Sequence, residues 1–465
     1  MSKLMHTPRD PYNTNLHAVL RENYRQVFFD KEINGIQLPF HLEREFKKYL
    51  NCGILSCGMA RFHCPHCYKD KIVAFSCKGR TICPSCTGRR TADTAKHLLE
   101  EVIPEVPVRQ WVLSMPYVYR FLLASRPEFL RKALAIYHRT INRYYAIKAK
   151  QLDLKNPKVG AITVIQRFGG GLNLNVHFHT LYTDGVFHEN YLGEEVFYEI
   201  IPSHDDVIAI ANKLKNRLEK LLSREDEYSN GEDHSLSFIQ SQSVQNKDEN
   251  FLAPVKIGKY CDPPFEEFKG TRCGYIDGFS LHANVKILKQ HRSALEGLCR
   301  YVLRGPLSNE RISYNNGKVY LKLKRSYSDG TSHLQFTPEQ FIKRIISIIP
   351  PPRQNLIRYI GVFGARHKKR DIITSTVSAK ALRPKIKKKI YRTPWADLLK
   401  HVFKHDVSNC DHCGTKLVLI ASITSRHTCN KILTHLNLPI REVLATPPRG
   451  PPEIDFIDQY KYEEF

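Results

Sequence analysis

Residues 172–180, "LNLNVHFHT", alternate along the chain: Leu172, Leu174, Val176 and Phe178 share one parity, and Asn173, Asn175, His177 and His179 share the other. Successive side chains of a strand point to opposite faces, so this segment predicts a strand with one apolar face and one face of amides and imidazoles. "VRQWVLSMP" and "GAITVIQRF" read as earlier strands, and "GGGL" as the turn leading into the two-histidine strand. Helical spacing governs "LPFHLEREFKKYL", "ADTAKHLLEEVI", "RPEFLRKALAIYHRTINRYYAIKAKQL", "DDVIAIANKLKNRLEKLLSRED", "HRSALEGLCRYVLR", "TPEQFIKRIISIIPPP" and "TPWADLLKHVFKHD". "GFSLHANVKI" reads as a strand, and "RISYNNGKVYLKLKR" as a hairpin turning at its Asn-Gly. Residues 187–272 include a polar, poorly patterned stretch and read as an insertion. Without it, the order is strand, helix, strand, strand, helix, strands. That order is compatible with an α+β fold, a ferredoxin-like antiparallel sheet backed by helices.

Composition sharpens this picture. The chain has 465 residues and a net charge of +25, with 71 Lys and Arg against 46 Asp and Glu. Such an excess suits a polyanion binder, and it does not separate DNA from RNA. Two basic clusters stand in the last third, "RHKKR" with Arg366, Lys368, Lys369 and Arg370, and "RPKIKKK" with Lys387 and Lys388. No apolar run reaches the about 18 residues that a membrane crossing needs. The start, "MSKLMHTPRDPYNTN", does not look secretory, so the expectation is a cytoplasmic protein.

Thirteen cysteines in such a chain argue for metal or catalysis rather than disulfides. "CPHC" (Cys64, Cys67) and "CPSC" (Cys83, Cys86) form a pair of knuckles whose spacing fits one tetrahedral structural zinc. Cys52, Cys57 and Cys77, with His63 or His97, are the material for a second site. Lys78, Arg80, Arg89 and Arg90 around the knuckles suit DNA contact, against the competing reading of a solvated basic face. Cys410 and Cys413 make half a site that His401, His405, His427 or Cys429 would have to complete.

His177 and His179, two apart on one strand face, aim both imidazoles at one region. If the hairpin turns at Gly170 and Gly171, Gln166 pairs with Asn175 and becomes a third metal ligand; His282 is the substitute. On the helix that follows, Leu295, Leu298, Cys299, Val302 and Leu303 form an apolar stripe. Tyr301 falls at the edge of that stripe, beside Arg304, with Gly297 one turn back. A third alternating histidine is missing (position 181 is Leu), which excludes the histidine-triad hydrolases. The H-x-[ST] pair of two-histidine phosphoesterases and a phosphate-binding G-x-x-x-x-G-K-[ST] loop are also absent.

Five longer stretches carry a resemblance: "VAFSCKGRTICPSCTGRRTADTAKHL", "PEVPVRQWVLSMPY", "QRFGGGLNLNVHFHTLYTDGV", "LCRYVLRGPLS" and "GTSHLQFTPEQFI…PPPR". In content and order they resemble the rolling-circle insertion-sequence transposases of the HUH superfamily (U being a hydrophobic residue), and in particular the common-region (ISCR) elements. The likeness runs from about residue 40 to 440. It implies that His177 and His179 are metal ligands, Tyr301 the nucleophile, and the cysteine block a zinc domain. Two-tyrosine relatives have a tyrosine where Gly297 stands, so the chain resembles the single-tyrosine branch. The implied activity is metal-dependent cleavage and rejoining of single-stranded DNA at element ends through a 5′-phosphotyrosine. The cofactors would be structural Zn2+ and catalytic Mg2+ or Mn2+, and Arg304 would join the DNA-contacting residues at the nucleoid, with self-association on DNA left open. A replication initiator or relaxase with the same chemistry, and a non-catalytic zinc-dependent DNA-binding protein, are the alternatives. The expected domains are residues 1–103 for zinc and DNA binding, 104–325 for catalysis, and 326–465 as a basic DNA-binding region.

Overall fold

The computed structural model describes residues 10–33, 37–223, 240, 271–327, 329–375, 406–441, 443 and 445–448. In chain order its strands are β1 (Met59–His63), β2 (Asp70–Ala74), β3 (Val108–Ser114), β4 (Lys155–Lys158), β5 (Gly160–Phe168), β6 (Leu174–Thr183), β7 (Gly185–Glu189), β8 (Glu195–Glu199), β9 (Cys273–Ile276), β10 (Phe279–His282), β11 (Lys286–Ile287), β12 (Ile312–Asn315), β13 (Lys318–Lys322), β14 (His333–Phe336), β15 (Ile357–Gly361) and β16 (Val418–Ile423). The α-helices are α1 (Asn15–Ile33), α2 (Phe40–Leu50), α3 (Pro84–His97), α4 (Tyr117–Ser125), α5 (Pro127–Gln151), α6 (His204–Leu222), α7 (Arg292–Leu303), α8 (Pro338–Ile348), α9 (Arg370–Ser375) and α10 (Arg426–His435).

The alternating segment becomes β6, an inner strand of an antiparallel sheet ordered β15-β5-β6-β3-β10-β9, with β11 also on β3. One face carries Val176, Phe178 and Tyr182 of β6, joined by Trp111, Leu113 and Ile165, and packs on Tyr137, Ile141 and Tyr145 of α5. A buried polar chain crosses this layer: His138 Nδ1 meets the Tyr182 hydroxyl at 2.7 Å, and Thr163 bonds both His138 Nε2 and Thr180. The opposite face carries His177, His179 and Leu181. Val108, Ile162, Val164 and Leu181 on this face are covered by Leu295, Cys299 and Val302 of α7. The stripe read from the sequence therefore lies on the histidine face.

Local signals held elsewhere. Asn316 and Gly317 both adopt positive φ, 50° and 69°, between β12 and β13, the turn that an Asn-Gly hairpin requires. Thr337 and Gln340 form a capping box with Pro338 at the first helical position of α8. The presumed insertion is partly woven into the fold. β7 and β8 form a side sheet with β4, and Arg217 of α6 bonds Thr140 of α5. Residues 224–239 and 241–270 lie outside the described residues, as does the helix expected over "TPWADLLKHVFKHD", apart from its last residue.

The described strands of the chain's last third join different sheets. β15 extends the central sheet beside β5, and β16 returns to pair with β1 in a sheet ordered β16-β1-β2. The cysteine-rich module is thus built from both ends of the chain.

Candidate active site and metal centres

Antiparallel pairing sets the site. His177 lies opposite Gln166 on one side and Ser114 on the other, and His179 lies opposite Val164 and Val112. The imidazole Nε2 atoms of the two histidines are 3.1 Å apart. Each ring is anchored through its other nitrogen. His177 Nδ1 is 2.9 Å from the Asn175 carbonyl, and His179 Nδ1 is 2.9 Å from the Gln110 side-chain amide. Burial, the largest cause, pushes the His177 pKa down to about 4 and that of His179 down to about 3. Arg304 lowers both further, and the two rings are neutral imidazoles at neutral pH, the form in which histidine binds a metal.

The Gln166 register differs from expectation. It pairs with His177, two residues beyond Asn175, because the ladder shifts between Gln166 and Phe168 and the turn closes by Gly169 N–H to the Asn173 carbonyl. A two-residue shift preserves parity, so Gln166 still points to the histidine face. Its Nε2 donates to the Val302 carbonyl at 2.6 Å, and its Oε1 is buried without a partner. His282 stays apart. It shares a row with His179, but Val112 stands between them, and its Nδ1 lies 2.9 Å from Cys273 Sγ. Two strand spacings put it about 10 Å from His179.

Tyr301 reaches the same place from above. Its ring centroid is 6.0 Å from that of His179 with the planes at 89°, and the Arg304 guanidinium sits over the ring at 4.4 Å. The side chain is half exposed, at 48 %. Gln110 was missed in reading the sequence. Its signal was a lone amide inside the apolar run "VRQWVLS", on the parity of Val108 and Val112.

The cysteines sort differently from the sequence expectation. Cys52, Cys77, Cys83 and Cys86 form one cluster, and Cys64, Cys67, Cys410 and Cys413 form another, each with all sulfurs within 4.8 Å of one another. Contacts of 3.4 to 3.6 Å within them match the sulfur separations of about 3.8 Å expected around a tetrahedral zinc with bonds of about 2.3 Å. Cys64 and Cys67 therefore do not join Cys83 and Cys86. "CPHC" turns the β1–β2 hairpin, where Cys64 N–H bonds Lys69, and it faces the like turn at Cys410, whose N–H bonds Thr415. "CPSC" instead opens α3, with Cys83 as its N-cap, and meets Cys52 just past α2.

Cys57 belongs to neither cluster and contacts Asn51 and Arg426. His63 is held by Asp70, and Cys429 packs in a small core with Met59 and Leu433. His401 and His405 lie outside the described residues.

The basic residues also divide. Arg80 is committed to the carbonyls of Gln354 and Pro351, Arg89 to Ser76, and Arg90 to the Lys78 carbonyl. Arg370 bonds the Phe363 carbonyl, and Lys369 pairs with Glu195. Arg366 and Lys368 are exposed, while Lys387 and Lys388 lie outside the described residues. Among the described residues no helix is long and apolar enough to cross a membrane.

Two family models match the chain. One, described as "Putative transposase", matches residues 160–371, from the start of β5 into α9. The other, "Transposase zinc-binding domain" of the IS91 type, matches residues 20–115 and holds six of the eight clustered cysteines, Cys410 and Cys413 lying beyond both matches. No curated protein and no solved structure matches the chain.

Proposed function

For a chain that belongs to the IS91-type transposases, we propose a rolling-circle reaction in which Tyr301 cuts and rejoins single-stranded DNA at the element's ends. The observation that carries this reading is the convergence at one spot of two neutral imidazoles, an orphaned amide oxygen and a half-exposed tyrosine ring.

His177, His179 and Gln166 would hold a divalent ion. Two Nε2 atoms 3.1 Å apart and the unpartnered Gln166 Oε1 are a donor set of mixed nitrogen and oxygen, suited to Mn2+ or Mg2+. When bound, such an ion polarises the scissile phosphate and steadies it for in-line attack. The Tyr301 oxygen forms a bond to phosphorus while the bond from phosphorus to the 3′ oxygen breaks. The tyrosine's proton is lost, the leaving 3′ oxygen gains one, and the strand's 5′ phosphate stays on Tyr301. Reversal by another 3′-hydroxyl rejoins DNA with no nucleotide hydrolysed, since the ester bond is conserved in the link.

Gln110 is a positioning residue. Both Nε2 atoms would be free to hold an ion only if both Nδ1 atoms carry the protons. His177 Nδ1–H would donate to the Asn175 carbonyl, and His179 would need the oxygen end of the Gln110 amide, which a turn of that amide end over end presents.

The test is a covalent adduct. With a single-stranded oligonucleotide spanning the element's end and a divalent ion, the protein should form a species that survives denaturing electrophoresis. A label 3′ of the cut should travel with the protein, and a label 5′ of the cut should leave. Tyr301→Phe should bind the strand and form no adduct, since Gly297 offers no second hydroxyl one turn away. An undiminished adduct in Tyr301→Phe would sink this reading.

A further inference from the structure

Beside Tyr301 the chain leaves α7 and crosses α3 at close range. A Cβ on Gly305 would lie 2.4 Å from Thr87 Cγ2, so only glycine lets the two segments approach this closely. Thr91 Oγ1 bonds the Leu303 carbonyl at 2.9 Å and seals the same junction. Between α3 and the segment after α7 lies a cleft of about 220 Å³, whose lining includes Thr87, Thr91, Arg304, Ser308, Arg311 and Lys324. That is smaller than the about 300 Å³ at which pockets for drug-sized ligands begin.

Three cations share this small space. Among the described residues no carboxylate acts on Arg304 or Lys324, and the nearby Glu310 is turned to the Ser308 hydroxyl. Arg304 Nε is buried without a hydrogen-bond partner. Arg311 donates to the carbonyls of Lys322 and Gly170, which spend two of its donors and leave its charge uncompensated. The hydroxyls are already engaged, Thr87 on the Cys83 carbonyl and Thr91 on that of Leu303. Desolvation and then the charges of Arg304 and Arg311 push the Lys324 pKa down to about 8. Like charges drawn together around an unsatisfied donor are a cost that an anion would reverse.

We propose that this cleft is a backbone-phosphate pocket for the strand that Tyr301 attacks, in which Arg304, Arg311 and Lys324 hold a phosphodiester next to the scissile one. The inference rests on the reading of Tyr301 above. It adds how the strand is placed: Arg304 lines the pocket while lying over the Tyr301 ring, so the anchored phosphate and the nucleophile share one residue. It also gives the zinc module a part in the site. The pocket wall is the first two turns of α3, which begins between Cys83 and Cys86. The anchored group is a phosphate of the scissile strand rather than of flanking duplex, because the pocket opens beside the nucleophile.

The experiment uses the full chain in a Tyr301→Phe background, which keeps the strand intact, and element-end oligonucleotides with one neutral methylphosphonate moved along the strand. One linkage adjoining the cut should weaken binding roughly tenfold, about the worth of one charge-assisted contact. Lys324→Gln, an exposed position, and Arg311→Gln should each weaken the all-phosphate strand and lower its salt slope by about one. In those variants the methylphosphonate at that linkage should cost little or nothing more. Losses that multiply independently at every linkage, or binding unaltered by either substitution, would overturn the pocket. The Tyr301 reading fails separately. It falls if the otherwise unaltered protein forms no adduct on an unmodified strand, whereas a normal adduct with Lys324→Gln at subsaturating DNA overturns only the pocket.

Discussion

The proposed histidine site and the cluster of Cys64, Cys67, Cys410 and Cys413 stand on opposite kinds of ground. His177 and His179 ride an inner strand whose other face is packed by Phe178, Trp111 and Tyr137, and their own face is walled by Val164 and Leu181. That sheet packs on the main core, which also takes in Cys52, Cys83 and Cys86 of the other thiol cluster. Among the described residues, the cluster of Cys64, Cys67, Cys410 and Cys413 has Leu417 and a half-buried Phe62 for apolar company, and the neighbouring core holds Met59, Cys429 and Leu433. A module with so little to bury needs another source of stability, and a structural zinc supplies folding energy outright. The difference teaches that the imidazole pair sits where the fold is already packed, whereas this thiol cluster sits where little else holds the fold.

The largest expected effect is that of Cys83→Ser, in the cluster that joins the main core, and it tests whether metal is needed there as well. It removes a ligand from the cluster that starts α3, and structural zinc is worth on the order of 10 kcal/mol in small domains. The variant should lose one of the two zinc ions expected per chain, by elemental analysis, and its N-terminal module should become protease-sensitive. Full zinc content with unaltered melting would show that the thiols are only packed together.

His177→Ala should behave in the opposite way. Cleavage should fall by about 100-fold or more, the usual scale for losing a preorganised electrostatic group, while the melting temperature and metal-free DNA binding hold. If the variant unfolded, the histidine site would be a part of the fold and the contrast would fail.

Cys413→Ser separates the two cysteine clusters from each other. It should release one zinc ion and free β16 from β1, seen as new proteolysis near residues 406–423, with the cluster at Cys83 still loaded and adduct formation retained. Loss of both ions would mean that the clusters fold as one unit.

The smallest effect belongs to Gln110→Leu, which keeps the volume and removes the amide that faces His179 Nδ1. Apparent affinity for the divalent ion should weaken about 10-fold, the lower range for such supporting contacts, with activity restored by excess metal. Gln110→Glu keeps an acceptor and should retain tight binding. Equal metal affinity in Gln110→Leu would return this residue to packing.

Much of this molecule was legible in the sequence wherever the signal was local. Alternation at 172–180 put both histidines on one face, and a strand allows no other outcome once its apolar face is buried. The stripe on α7 placed Tyr301 at its edge, and the Asn-Gly turn follows from backbone sterics within two residues. Even the wrong register for Gln166 left it on the right face, because the error was an even number of residues.

Tertiary structure alone decided the partnerships. Eight thiols are chemically alike, and spacing says which two share a knuckle but not which knuckles share an ion; that choice depends on α3 carrying "CPSC" to Cys52 while the β1–β2 hairpin carries "CPHC" to Cys410 and Cys413. The return of β16 to β1 and of β15 to β5 is likewise absent from any local period, since strand pairing over hundreds of residues is settled by the surfaces the intervening chain has already buried. Gln110 reached His179, and Arg311 and Lys324 joined Arg304 beside Tyr301, for the same reason: a sheet and a helix crossing bring together side chains that lie far apart along the chain.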